Sequence, residues 1–118
     1  MEPTAQPEDD GENLILRQVL APDERVRVKA IASDAVLAVT DRRLVVAAPS
    51  RLALAIEFAA VRRVQFDIER DRPATLVIVP ELASDEPQVL AIAPHQYEAA
   101  AAAIVALGLA LDATEPVG

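Results

Sequence analysis

The pattern that most constrains this chain is a change of hydrophobic period near Pro94. Upstream, from Arg25, apolar residues alternate with polar ones in short runs; downstream they recur at helical spacing, with no charged residue from Ala99 to Leu111. Alternation sends successive side chains to opposite faces of a strand, whereas a spacing of three and four gathers them on one face of a helix. The chain therefore reads as a series of strands closed by a single helix.

The strands can be placed one by one. Residues 25–30, Arg-Val-Arg-Val-Lys-Ala, alternate with three cations on one face. Residues 35–40 and 43–48 are β-branched runs separated by Asp41-Arg42, the spacing of a tight hairpin. Leu52, Leu54, Ile56 and Phe58 share a face of a fourth strand, and Val64, Phe66 and Ile68 share one of a fifth, with Arg63, Gln65 and Asp67 facing out. Residues 70–73 form a turn, 75–79 a sixth strand, 80–87 a polar loop and 88–93 a seventh strand. Pro94 suits a first helical turn, where its missing N–H costs nothing. Tyr97, Ala100 or Ala101, Ile104, Leu107 and Leu111 recur at helical spacing, and the stripe taken through Ala101 is expected to face the sheet. Near the start, Asn13 can cap a short helix over 14–20, stopped by Ala21-Pro22. These elements predict a mainly β fold of the α+β kind: a seven-stranded bent antiparallel sheet or barrel, capped by a C-terminal helix, with a short N-terminal helix.

At 118 residues the chain has room for one domain with its own core and not for two. Residues 1–12 join Pro, Gln, Asp, Glu and Gly without a large apolar residue after Met1, a composition expected of a disordered acidic tail. The folded domain is expected over 13–112, with 113–118 as a frayed end. The first residues have neither a basic nor an apolar signal region, and the longest uncharged apolar run is 13 residues against the roughly 20 of a membrane-crossing helix. A cytoplasmic setting with no transmembrane segment is the expectation.

Three segments resemble the bacterial pleckstrin-homology-like domain family. They are Leu-Ala-Pro-Asp-Glu-Arg-Val at 20–26, Leu-Ala-Val-Thr-Asp-Arg-Arg-Leu-Val-Val at 37–46 and Ala-Val-Arg-Arg-Val-Gln-Phe-Asp at 60–67. The first resembles the family's Leu-x-Pro-Gly-Glu opening before strand one, with Asp23 in place of Gly. The second resembles its Thr-Asp-Arg-Arg hairpin. The resemblance covers about 14–111 and implies the seven-stranded sheet with its helical cap. It implies no reaction, since scaffolds of this kind host lipid binding, peptide binding and self-assembly.

Catalytic chemistry finds no foothold in the residues. The absence of Cys removes thiolate catalysis, disulfides and zinc-finger sites, and one histidine, His95, cannot build a multi-His metal centre. Ser33, Ser50 and Ser84 sit in turns beside Asp or Pro, where turn formation accounts for them. No phosphate loop, nucleophile elbow or zinc-protease motif is present. No catalytic residue, metal or cofactor is expected, and the chain reads as a binding or assembly module rather than an enzyme.

Charge is partitioned along the chain. Residues 1–16 carry five acids and no base, 17–72 all 11 bases against eight acids, and 73–118 six acids and no base. The net charge of -8 argues against a nucleic-acid binder, while any anion-facing surface must lie within 17–72. Arg25, Arg27 and Lys29 on the first strand, with Arg42 and Arg43 at the hairpin, are the candidates for an anionic lipid headgroup or phosphorylated ligand. In eukaryotic relatives of the resembled fold the loop between the first two strands is basic; here it is Ala-Ser-Asp-Ala at 32–35. At the hairpin itself, a structural role competes with ligand binding: Asp41 accepting backbone N–H groups while one arginine pairs with a nearby carboxylate. The final helix offers the other surface. With its stripe turned to the sheet, Val105 and Leu109 are left on flanks that a monomer would expose, so a protein partner, in the simplest case a second copy, is expected there.

Overall fold

The computed structural model describes residues 11–68 and 72–114. Seven strands and two helices follow in order: α1 (Gly11–Val19), β1 (Val26–Ile31), β2 (Val36–Thr40), β3 (Arg43–Ala47), β4 (Leu52–Glu57), β5 (Val61–Asp67), β6 (Ala74–Pro80), β7 (Gln88–Ile92) and α2 (Tyr97–Thr114). The acidic tail expected over 1–12 falls outside the described residues up to residue 10. The turn at 70–73 is only partly described, and the frayed end at 113–118 is described only as far as Thr114, the last residue of α2. Helix α1 begins at Gly11, so Asn13 lies inside it rather than at its cap.

The strands form two antiparallel sheets, β1-β2-β3-β4 and β5-β6-β7. The β1–β2 turn meets the second sheet through the Ser33 N–H, which donates to the Ala91 carbonyl at 3.0 Å. Alternation is cleanest in β6, where Ala74, Leu76, Ile78 and Pro80 are buried and the residues between them half-buried. Strands β2 and β3 are covered on both faces. Leu37, Val39, Leu44 and Val46 enter the main core with Leu76, Ile78 and Ile92, while Val36, Ala38, Val45 and Ala47 pack on Leu16 of α1. That double burial explains why both runs are apolar almost throughout.

Three register shifts bend the sheets, between Val26 and Val28, between Val46 and Ala47, and between Val61 and Arg63. Each places an extra residue in one strand and reverses its alternation locally. The fourth strand, expected to run through Phe58, ends at Glu57; Phe58 is buried in a 3-10 turn, Phe58–Ala60. Ile68 lies past the end of β5 and is exposed instead of sharing the face of Val64 and Phe66.

Helix α2 lies along β1 with Ala100, Ala103 and Leu107 buried, and Tyr97 and Ile104 half-buried. Of the two alanines that fit the stripe, Ala100 faces the sheet and Ala101 is exposed, while the side chain of Leu111 lies outside the described ones. A 3-10 turn, Pro94–Gln96, precedes the helix and fixes its rotation: the Gln96 Oε1 accepts the Ile31 N–H at 2.9 Å, and the Tyr97 ring meets Phe66 edge-on at 6.1 Å. Alanine at 100 and 103 lets the helix approach Ala30 closely. Ala103→Leu is expected to cost about 1–3 kcal/mol by overpacking, whereas Ala101→Leu leaves the urea midpoint in place. Equal midpoints for the two variants would contradict this seating of the helix.

Candidate functional site

The two segments around Glu24 and Thr40 fold against each other. The Glu24 side chain, only 1% exposed, accepts hydrogen bonds from Arg43 Nε (3.0 Å) and Nη2 (2.9 Å), from the Thr40 hydroxyl (2.7 Å) and from the Ala21 N–H (3.1 Å). Arg43 Nη2 also donates to the Val19 carbonyl at 2.8 Å, satisfying an acceptor that the end of α1 leaves open. The Arg43 hydrogen bonds hold the Glu24 carboxyl at about 2, well below its usual 4.5. Burial opposes that shift, and the Thr40 and Ala21 donors assist it. Four donors on one buried carboxylate make this a structural tie between α1, the segment before β1 and the β2–β3 hairpin.

Within the hairpin the expected role of Asp41 belongs to its neighbour. The buried Thr40 hydroxyl accepts the N–H groups of Arg42 and Arg43, each at 3.0 Å. Asp41 faces across the sheet instead, where its Oδ1 accepts the Arg25 N–H at 3.3 Å. Arg42 pairs with Asp23 at 2.6 Å in a surface bridge, which lowers the Asp23 carboxyl below its ordinary range. The expectation that an arginine of this motif pairs with a carboxylate therefore holds for both arginines.

The candidate anion residues do not share one face. The register shift between Val26 and Val28 falls at Arg27 and breaks the alternation of β1, so that Lys29 stands opposite Ala38 on the face beneath α1 while Arg27 turns toward α2. Arg25 is exposed before β1 begins, and Arg43 is engaged inside the tie to Glu24. What the structure does bring together crosses the two expected surfaces: Arg27 and Arg42 line a groove of about 570 Å³ whose other wall includes Phe58, Ala106 and Leu109. Val105 and Leu109 are 61% and 65% exposed. In the core, the void between Leu37, Leu76 and Leu107 holds about 10 Å³, at most one water. Among the described residues no group of three His, Asp or Glu side chains is placed to hold a metal ion, and no helix is long and apolar enough to cross a membrane.

No family model and no curated protein matches the sequence. The structure is similar to the crystal structure of a pleckstrin homology domain from Shewanella amazonensis, with a TM-score of 0.55 and 16% identity over 77% of this chain and 88% of that one. The fold is that of a pleckstrin-homology-like domain. In this PH-like fold the β1–β2 turn is tied to β7, where Ser33 gives both its N–H and its hydroxyl to the Ala91 carbonyl.

Sequence reasoning missed Glu24 and Thr40 as partners of Arg43. The signal was present, since both lie in segments that resemble the same family, but sequence separation hid their contact. The groove had no comparable signal: its walls come from β1, the β2–β3 turn, the 3-10 turn after β4 and α2.

Proposed function

We propose that this PH-like domain is a non-catalytic binding module that self-associates through the exposed face of α2. One observation carries the reading: Val105 and Leu109 stand one turn apart and largely in solvent, on a helix with no charge between Ala99 and Leu111. The sheet-facing side of α2 is already satisfied by Ala100, Ala103 and Leu107, so packing within the domain does not account for them. Gly108 lies beside them in open space and would let a second helix come close. Two helices crossing about a two-fold axis would set Val105 of one copy against Leu109 of the other, burying four large side chains. Each is worth about 1.5–3 kcal/mol when fully removed from water.

A reading as an adaptor for anionic lipid or phosphorylated ligands draws less support. Of its five cations, Arg43 is engaged by Glu24, Arg42 by Asp23, and Lys29 lies on another face from Arg27.

Light scattering on a sizing column, from about 1 μM to about 1 mM, tests the proposal. The mass is expected to rise with concentration toward a dimer, and Val105→Glu with Leu109→Glu is expected to hold it at the monomer. A monomer throughout, or a double variant that still associates, would overturn it.

A further inference from the structure

An antiparallel sheet leaves unpaired N–H and C=O groups along its outermost strands, and proteins guard such edges with charge, proline or a covering segment. The outermost strands here are β1, β4, β5 and β7. Of these, β1, β5 and β7 are guarded. The β1 edge carries Arg27 and Lys29 and gives its Ile31 N–H to Gln96. Strand β5 carries Arg62, Arg63 and Asp67, and the Ala91 carbonyl of β7 receives the N–H and hydroxyl of Ser33. Strand β4 differs. Its residues 52–56 read Leu-Ala-Leu-Ala-Ile, without charge or proline, and among the described residues no hydrogen bond from outside the sheet reaches them. Ala53 is the extra residue of the register shift opposite Val46 and Ala47, so it has no paired residue in β3.

This edge opens into a groove of about 340 Å³, walled on one side by residues 52–55 and on the other by Ser84, Asp85 and Glu86 of the β6–β7 loop. Neither carboxylate forms an ion pair with a described residue, and no base lines the groove. A strand added here would meet backbone donors and acceptors on one side and two negative charges on the other. That combination selects an extended segment bearing Lys or Arg. A second copy is a poor occupant, since β4 contains no base and each chain carries a net charge of -8.

We propose that β4 takes up an extended basic segment of a partner protein as an added strand, with Lys or Arg side chains of that segment set against Asp85 and Glu86. Main-chain hydrogen bonds would supply the affinity and the acids the choice of partner. No residue lining the groove belongs to α2, so the contact is independent of self-association through that helix.

An acetylated and amidated octapeptide alternating Lys and Val is the probe, with its Glu-Val counterpart as the control of charge. At about ten times its Kd, the Lys-Val peptide is expected to slow deuterium exchange about tenfold at the amides of Leu52–Glu57 that turn away from β3. Asp85→Asn with Glu86→Gln should weaken binding about two- to thirtyfold, the range of two exposed charge pairs. N-methylation of alternate peptide residues is the control that charge alone would not move. Alternate N–H groups point to the same side of a strand, so one methylation pattern should abolish the protection and the other leave it intact. Protection centred elsewhere, equal effects of the two methylation patterns, equal binding of the Glu-Val peptide, or no protection up to about 1 mM peptide would overturn the proposal. So would protection of the same amides that grows with protein concentration in the absence of peptide, because a second copy would then hold the edge.

Discussion

Glu24→Ala is expected to lower stability by about 3–5 kcal/mol, the cost of leaving one member of a buried ion pair without its partner. Against a total of about 5–15 kcal/mol for a domain, that loss moves the urea midpoint far down and puts folding itself at risk. The reason lies in what remains behind. Arg43 would keep a guanidinium in a half-buried position with only the Val19 carbonyl to receive it, and the Thr40 hydroxyl would exchange its 2.7 Å carboxylate acceptor for the Arg43 carbonyl at 3.2 Å. Arg43→Ala should cost a similar amount by stranding the carboxylate. The double variant Glu24→Met with Arg43→Met should recover much of the loss, since removing both charges also removes the desolvation they suffer. Asp23→Ala is the control. Its bridge to Arg42 is shorter, at 2.6 Å, yet both groups are exposed, and the midpoint should hardly move. If Glu24→Ala proves as mild as Asp23→Ala, the tie is not what holds α1 and the hairpin together.

That contrast also shows what could be read from the chain and what could not. The strands were legible because most are covered on one face and write that fact as alternation; β6 does so over its whole length. The two-residue spacing at Asp41-Arg42 located the hairpin to the residue. Alternation carries no record of a bulge, however, because an extra residue is defined only against the paired strand. Arg25, Arg27 and Lys29 therefore looked like one face until the shift at Val26 and Val28 separated Lys29 from Arg27. The rotation of α2 was equally hidden, since in a run of five alanines every angle is as apolar as the next, and the choice of Ala100 over Ala101 is made by the preceding turn and its bond to Ile31.

Burial of an acid is hidden in the same way. Nothing in the composition around Glu24 distinguishes it from Asp23, and the two lie at opposite extremes of exposure, 1% against 77% for their side chains. What separates them is the set of donors arriving from β2, β3 and the end of α1. The half of the surface that was legible, Val105 and Leu109 on α2, depended on no distant residue, and the structure leaves both exposed. The groove beside them depended on four separate elements, and only the fold assembles it.

Acid should destabilise this domain through protonation of Glu24. The group titrates at about 2 in the fold, held there chiefly by Arg43, against 4.5 in its ordinary state. A carboxyl whose folded value lies below its unfolded one contributes stability that is complete above the unfolded value and disappears as pH falls through the folded one. The window therefore opens near pH 5 and closes near pH 2, and the difference corresponds to about 3 kcal/mol. Asp23 is shifted in the same direction by its bond to Arg42, but both groups are exposed and the bridge adds little to the slope. Urea midpoints taken from pH 6 to pH 2 should fall steeply for the native chain and more gently for Glu24→Gln, which cannot take up the proton. The two curves should lie furthest apart at pH 6 and converge toward pH 2, where the native carboxyl is half protonated. Parallel curves would mean that the Glu24 carboxylate is not held by Arg43 in the folded protein, and the low value would have to be abandoned together with the buried tie.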